Sequence, residues 1–255
     1  MLLAVDVGNT NIVLGCLDGK ETLFTERLST DVLKTSLEYA ILFETALSIH
    51  KVKPSQVLGA IIGSVVPELT HVIRDALKKI CEVKPMIVGP GLKTGLNIRI
   101  DDPATVGADL IAGAVGALSK YPVPLMIIDM GTATTICVLD RNRNYLGGMI
   151  MPGINVSLKS LVSGTSMLQG ISLETPKNVI GRNTADAMRS GILYGNAAMI
   201  DGLIDRVSEE LEDSLTVVAT GGLAPAVIPS CRHLIRYDDD LLLTGLRLIY
   251  EKNRR

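Results

Sequence analysis

The sequence predicts an α/β protein made of two similar halves by internal duplication. Two observations carry that reading. The chain opens on an apolar strand, an Asp-x-Gly turn and a second apolar strand (Leu2 to Asp18), and the same arrangement returns from Leu125 to Asp140. After each copy, short apolar blocks alternate with segments of helical period. Asp-x-Gly is common by chance, but two copies with the same flanking strands, half a chain apart, are not. The halves fall at residues 1–118 and 119–255. Two such α/β halves are expected to face a cleft.

The elements follow in order. Residues 2–6 and 11–17 pair as a hairpin around Gly8-Asn9-Thr10, and a third strand covers 22–28. Residues 35–49 are expected to be helical, with Leu37, Ile41, Leu42 and Thr45 on one face. A buried strand spans 57–64, and Pro67 opens a helix through Cys81, since proline suits the first helical turn. Met86 to Val88 is a short strand. Gly89 to Gly95 is a loop bordering the cleft and not a dinucleotide fingerprint, because Leu96 to Ile100 then reads as a strand where that motif needs a helix. A helix of small residues over 107–119 closes the first half. In the second half a strand at 145–150 follows the repeated pair. Helices follow at 154–163 and 184–211, the latter with a break near Gly195 or Gly202. A strand at 215–219 runs into Gly221-Gly222, and 239–252 is the last helix.

Composition removes several function classes. Apolar residues make up 47% of 255, enough for a sizeable core, yet no apolar run approaches the roughly 18–20 residues of a membrane span. The N-terminus reaches Asp6 too soon for a signal peptide. Cys16, Cys81, Cys137 and Cys231 form no CxxC pair and are expected to be buried free thiols, as in a reducing cytoplasm. A net charge of −2, with 3% aromatics and no Trp, speaks against nucleic acid as a partner. His50, His71 and His233 lack metal-ligand spacing, and neither GxSxG nor GxxxxGK[ST] occurs.

The chemistry therefore lies in the turns. A glycine-rich turn between strands points several backbone N–H groups at one spot, a nest for phosphate oxygens. Gly8 admits close approach, Thr10 and Asn11 add donors, and Asp6 can hold Mg²⁺ or its waters. One such turn reads equally as an ordinary hairpin. Two in equivalent places favour a two-sided phosphate clamp. Gly221-Gly222 after a buried strand suits either a flat ligand such as adenine or a tight turn.

Together, Asp6-Val7-Gly8-Asn9-Thr10-Asn11, Asp129-Met130-Gly131-Thr132-Ala133-Thr134-Thr135 and Thr220-Gly221-Gly222 resemble the phosphate-1, phosphate-2 and adenosine motifs of the actin, sugar-kinase and 70-kDa heat-shock superfamily. Gly107-Ala108-Asp109, Gly147-Gly148 with Pro152-Gly153, Gly181-Arg182-Asn183-Thr184 with Ser190-Gly191 and Gly195, and Leu242 to Leu246 look like type III pantothenate kinase. The resemblance spans nearly the whole chain. It implies two actin-like (ribonuclease H-like) domains and phosphorylation of pantothenate by ATP, the first step toward coenzyme A. It also implies Mg²⁺, a monovalent cation (K⁺ or NH₄⁺), a homodimer and little feedback by coenzyme A. Carried over by position, Asp109 is the general base, Asp6 organises Mg²⁺ and Asp129 binds the monovalent cation. Gly8, Asn9, Thr10, Asn11 and Thr132 hold ATP phosphates, and Gly221 and Gly222 flank the adenosine. Gly107, Ala108, Asp109, Leu110 and Thr184 line the pantothenate side.

The physics of the residues agrees. Phosphoryl transfer asks for positioning, charge neutralisation and a carboxylate to take the hydroxyl proton. Asp109 at a helix start is expected to be ionised, and it reads equally as that helix's cap; Thr184 reads as a cap too. Two positions depart from the family. Leu110 stands where an Arg usually follows the catalytic Asp, and Ile100 where many members have Tyr. An Arg could hold a carboxylate by paired hydrogen bonds and Leu110 cannot; Arg99 and Arg182 are the candidate substitutes. Two other readings stand beside pantothenate kinase. One is a kinase of this fold for another small hydroxylated substrate, and the other a nucleotide-binding regulatory protein without turnover. The small residues Ala187, Ser190, Gly191, Gly195, Ala197 and Ala198 suit close packing in a two-fold dimer or within one chain.

Overall fold

The computed structural model describes residues 1–254. Two sheets share one strand plan. In the first, β1 (Leu2–Val7), β2 (Asn11–Asp18) and β3 (Glu21–Ser29) form an antiparallel meander. β4 (Gly59–Ser64) then joins parallel to β1, and β5 (Met86–Ile87) parallel to β4. In the second, β7 (Leu125–Met130), β8 (Ala133–Leu139) and β9 (Asn144–Pro152) repeat the meander. β10 (Thr216–Thr220) and β11 (Ile235–Tyr237) repeat the parallel pair. The orders β3-β2-β1-β4-β5 and β11-β10-β7-β8-β9 are the same, and β6 (Asn97–Ile98) adds to β9 at the outer edge. The repeat seen in the sequence is thus a repeat of topology.

The chain forms two compact units: Met1–Leu96, Asp101–Ser119 and the residues from 240 on make one, and Asn97–Ile100 with Lys120–Asp239 the other. A single cut after residue 118 would divide the chain differently, leaving the last helix in the second half. That helix, α7 (Leu241–Asn253), belongs to the first unit, where it packs against β1 and β4. It crosses α3 (Ala108–Lys120) so closely that a Cβ on Gly245 would strike the Ala112 backbone. The loop over 89–95 is held to α7: Asn253 Oδ1 accepts the Lys93 N–H at 2.9 Å, and Asn253 Nδ2 donates to the Lys93 carbonyl at 2.9 Å.

Local chemistry accounts for the helices. α1 (Ser36–Ile49) begins at Thr35, whose hydroxyl accepts the Glu38 N–H while Glu38 Oε2 accepts the Thr35 N–H, a reciprocal cap. Its buried face differs from the expected one. Tyr39, Ala40, Phe43, Ala46 and Leu47 turn inward, whereas Leu37 and Ile41 are 60% and 53% exposed. α2 (Pro67–Cys81) begins and ends as the sequence indicates. It lays Leu69, Ile73, Ala76 and Leu77 on the core that β1, β2, β4 and α1 complete.

The second core lies between its sheet, α4 (Ile154–Ser163) and α5 (Thr184–Leu211). α5 is unbroken at Gly195 and Gly202, contrary to expectation. Each glycine costs a helix about 1 kcal/mol, and the buried row Met188, Ile192, Leu193, Ile200 and Ile204 outweighs that. β11 and the short α6 (Ala224–Val227) had no sequence signal; a three-residue strand exists only because β10 pairs with it. All four cysteines are free thiols; Cys16, Cys81 and Cys137 are buried and Cys231 half-buried.

Candidate active site

In the first unit the strand plan gathers the residues. β1 and β4 are parallel, so their C-terminal ends share one edge of the sheet, where open α/β sheets bind ligands. Asp6 ends up beside Gly63, and Val7 beside Ser64. The Gly8 N–H donates to the Asn11 carbonyl at 3.0 Å and closes the turn over residues 8–11. Thr30 Oγ1 donates to the Gly8 carbonyl at 2.6 Å and anchors that turn to the end of β3. Asn9 and Thr10 point their side chains to solvent.

The start of α3 meets the same edge. A Cβ built on Gly63 would lie 3.8 Å from Ala108 Cβ and 3.9 Å from Asp6 Oδ1. The nearest atom to that Cβ would be Leu246 Cδ2 at 3.1 Å, so the bare glycine makes room for α7, while α3 begins beside the Asp6 carboxylate. Asp109 is the second residue of α3 rather than its cap, and its Oδ1 accepts the Leu110 N–H at 2.8 Å. A side chain on Gly107 would collide with that carboxylate. Burial pushes the Asp109 carboxyl above the ordinary carboxylate range; the N–H groups of Leu110 and of Asp109 itself pull the other way and lose. The helix start was expected to dominate, and desolvation outweighs it. Leu110, half-buried next to this carboxylate, supplies no charge.

The second unit builds the matching turn. Asp129 closes β7 opposite Thr220 on β10. The Gly131 N–H donates to the Ala133 carbonyl at 3.1 Å, with Thr132 exposed at the tip. This turn is one residue shorter than the first: residues 131–133 lie between the paired Met130 and Thr134, but 8–11 between Val7 and Ile12. Gly221 has φ +88°, which favours glycine, and a Cβ there would lie 2.5 Å from Asp129 Oδ1 and 2.7 Å from the Met130 carbonyl oxygen. Asp129, Met130 and Gly221 are therefore in mutual contact, with Gly222 exposed beside them. Thr184 lies outside these contacts. It is exposed as the first residue of α5, and the cap is Asn183, whose Oδ1 accepts the Asp186 N–H at 2.8 Å. Arg99 and Ile100 also belong to the second unit, where the Arg99 N–H donates to the Tyr145 carbonyl at 2.8 Å and Ile100 packs beside Gly147.

Sequence reasoning gave Gly63 no role and took Gly153 and Thr134 only as parts of longer motifs. A glycine inside a strand signals close approach, so Gly63 was findable. Gly153 matters because a Cβ there would sit 2.7 Å from the Gly131 carbonyl oxygen, which seats α4 on the second turn. Thr134 stands within the Asp129 to Thr135 segment that resembles a phosphate motif, but its complete burial is not legible in the sequence. As for cations, no three of His, Cys, Asp and Glu cluster among the described residues. The Asp6 carboxylate at the end of β1 is a hard oxygen donor of the kind Mg²⁺ takes. The Asp129 carboxylate and Met130 carbonyl, converging where a Cβ would otherwise sit, are hard oxygen donors that fit a monovalent cation. No helix among the described residues is long and apolar enough to cross a membrane.

Solved structures share this fold. A conserved Campylobacter jejuni protein assigned to the Baf family of transcriptional activators is 22% identical with a TM-score of 0.60, over 98% of each chain. A Sinorhizobium meliloti protein named as a 2-dehydro-3-deoxygalactonokinase is 12% identical with a TM-score of 0.61, over 98% of this chain and 96% of that one. These establish the two-domain actin-like architecture. The sequence goes further. A type III pantothenate kinase from an Exiguobacterium species is 45% identical over 255 residues, the whole of both chains. The family model for type III pantothenate kinase matches residues 2–206, which include both Asp-x-Gly turns and the start of α3. With turns, fold and full-length identity in agreement, the chain belongs to the type III pantothenate kinase family.

Proposed function

We propose that this protein transfers the γ-phosphoryl group of ATP to the primary hydroxyl of pantothenate, giving 4'-phosphopantothenate and ADP at the first step of coenzyme A synthesis. The observation that carries the reading is the approach of the Asp6 carboxylate and the start of α3, with Asp109, at one sheet edge in a chain of this family. Asp109 accepts the hydroxyl proton. The freed oxygen bonds to the γ-phosphorus as the bond from that phosphorus to the bridging oxygen breaks, and ADP leaves with the electron pair. Burial serves this role: a carboxylate with raised proton affinity is a better base.

The other residues position and neutralise. In the first unit the backbone of Gly8, Asn9, Thr10 and Asn11 holds ATP phosphates; in the second unit Thr132 does so, and Gly221 and Gly222 leave room for the adenosine. Asp6 would hold Mg²⁺ and Asp129 a K⁺ or NH₄⁺ ion, and these cations would supply charge neutralisation at the phosphates. Gly107, Ala108, Leu110 and Thr184 contact the acceptor. Leu110 motivates a second reading, since an apolar side chain next to the base gives an acceptor carboxylate no partner. In that reading the enzyme phosphorylates another small hydroxylated acceptor. In the pantothenate reading the protein works in the cytoplasm as a homodimer. α5 supports the dimer: Ser190 and Ala197 are buried in the chain, whereas Ala187, Gly191, Gly195 and Ala198 leave a flat exposed face.

The test is ADP release by purified protein with ATP, Mg²⁺ and K⁺, with and without pantothenate, and product mass to confirm. Pantothenate-dependent ADP together with phosphopantothenate is expected. ATP binding with no product at saturating pantothenate would move the function to another acceptor, or to nucleotide binding without turnover.

A further inference from the structure

Among the described residues, one buried side-chain polar atom has no hydrogen-bond partner: Oγ1 of Thr134, a residue wholly shielded from solvent. A hydroxyl left so forfeits its hydration for nothing. Its place in the fold is specific. Thr134 pairs with Met130 on β7 and with Met151 on β9, at the base of the second Asp-x-Gly turn. The matching position of the first sheet, opposite Val7, is the buried Ile12. One half fills this place with an apolar side chain and the other with a hydroxyl.

Period-two alternation puts Thr134 on the face of β8 that carries Ile136 and Val138. Those two share a core with Ile154, the first residue of α4. α4 begins against the turn: a Cβ on Gly153 would lie 2.7 Å from the Gly131 carbonyl oxygen and would collide with that of Thr132. No side chain caps α4. The turn backbone and an uncapped helix start that favours an anion therefore meet, and the hydroxyl without a partner lies at the base of that turn.

We propose that Thr134 is a positioning residue for a nucleotide phosphoryl group. When the anion seats on the turn over residues 131–133 and the first turn of α4, the turn backbone settles onto the Thr134 hydroxyl, which gains the hydrogen bond it lacks without ligand. The proposal rests on the ATP reading of the second turn given above. It sets ligand-free stability against binding. Thr134→Val keeps the shape and removes the hydroxyl, so the ligand-free melting temperature should rise by about 2–4 °C. KM for ATP should rise about tenfold, KM for the acceptor should stay unchanged, and the Mg·ATP-induced rise in melting temperature should shrink. Thr134→Ser should restore the wild-type values. A lower melting temperature or an unfolded protein for Thr134→Val would overturn the proposal, because the hydroxyl would then already be satisfied. A wild-type KM for ATP would overturn it as well. A wild-type protein whose melting temperature ignores Mg·ATP would remove the nucleotide reading itself, and this proposal with it.

Discussion

At the scale of the residue, the proposed role of Asp109 as base sets function against stability. Its carboxyl is raised in the fold by burial, so protonation favours folding. That contribution is fully present below the unfolded carboxyl's value and is lost as pH rises through the folded one. Above the folded value the charged side chain therefore costs stability. Asp109→Asn should abolish turnover, leave ATP affinity within a few fold and raise the melting temperature; ADP release, calorimetric titration and thermal unfolding would measure the three. Near-native turnover would remove Asp109 as the base. In the wild type, kcat/KM should fall on the acid side with an apparent pKa above the ordinary carboxylate value of 3.8, because the base is lost once protonated. The motif pointed to Asp109 from the sequence. Its environment was hidden there, because the burial that raises it arises only in the fold, where the start of α3 meets the sheet edge beside Gly63.

At the scale of the element, α1 separates what periodicity decides from what it leaves open. Leu37 and Ile41 form one apolar i,i+4 row, and Tyr39, Phe43 and Leu47 form another. A helix that is apolar on more than one side is recognisable as a helix, but its inward face is chosen by what it packs on. The aromatic row won because α2 and the sheet offer it a deep core. Phe43→Ala should cost about 3–5 kcal/mol in denaturant unfolding, whereas Ile41→Lys should stay within about 0.5 kcal/mol. Equal losses would mean that the exposed row is covered in solution. α5 teaches the converse: its glycines suggested a break, and tertiary burial kept it whole.

At the scale of the whole molecule, the duplication gives each unit a turn of the same kind at the same strand ends, but the copies have diverged. The second turn is a residue shorter, β6 extends only the second sheet, and Thr134 replaces the counterpart of Ile12. The flat outward face of α5 leads to the assembly. Scattering at micromolar concentration should give twice the chain mass, and Gly195→Arg should return it toward the monomer. A monomer mass for the wild type would remove the dimer.

The sequence by itself determined the strand–turn–strand repeat, almost every element and the identity of the two turns, because these rest on local period, glycine and proline. It also carried the family, since the turns and Gly107 to Asp109 are contiguous in the chain. Tertiary structure alone decided which face of α1 is buried, that α7 joins the first unit, that burial rather than the helix start sets the state of Asp109, and that Thr134 is orphaned. Each of these depends on contacts between residues far apart in the chain, and no local pattern records them.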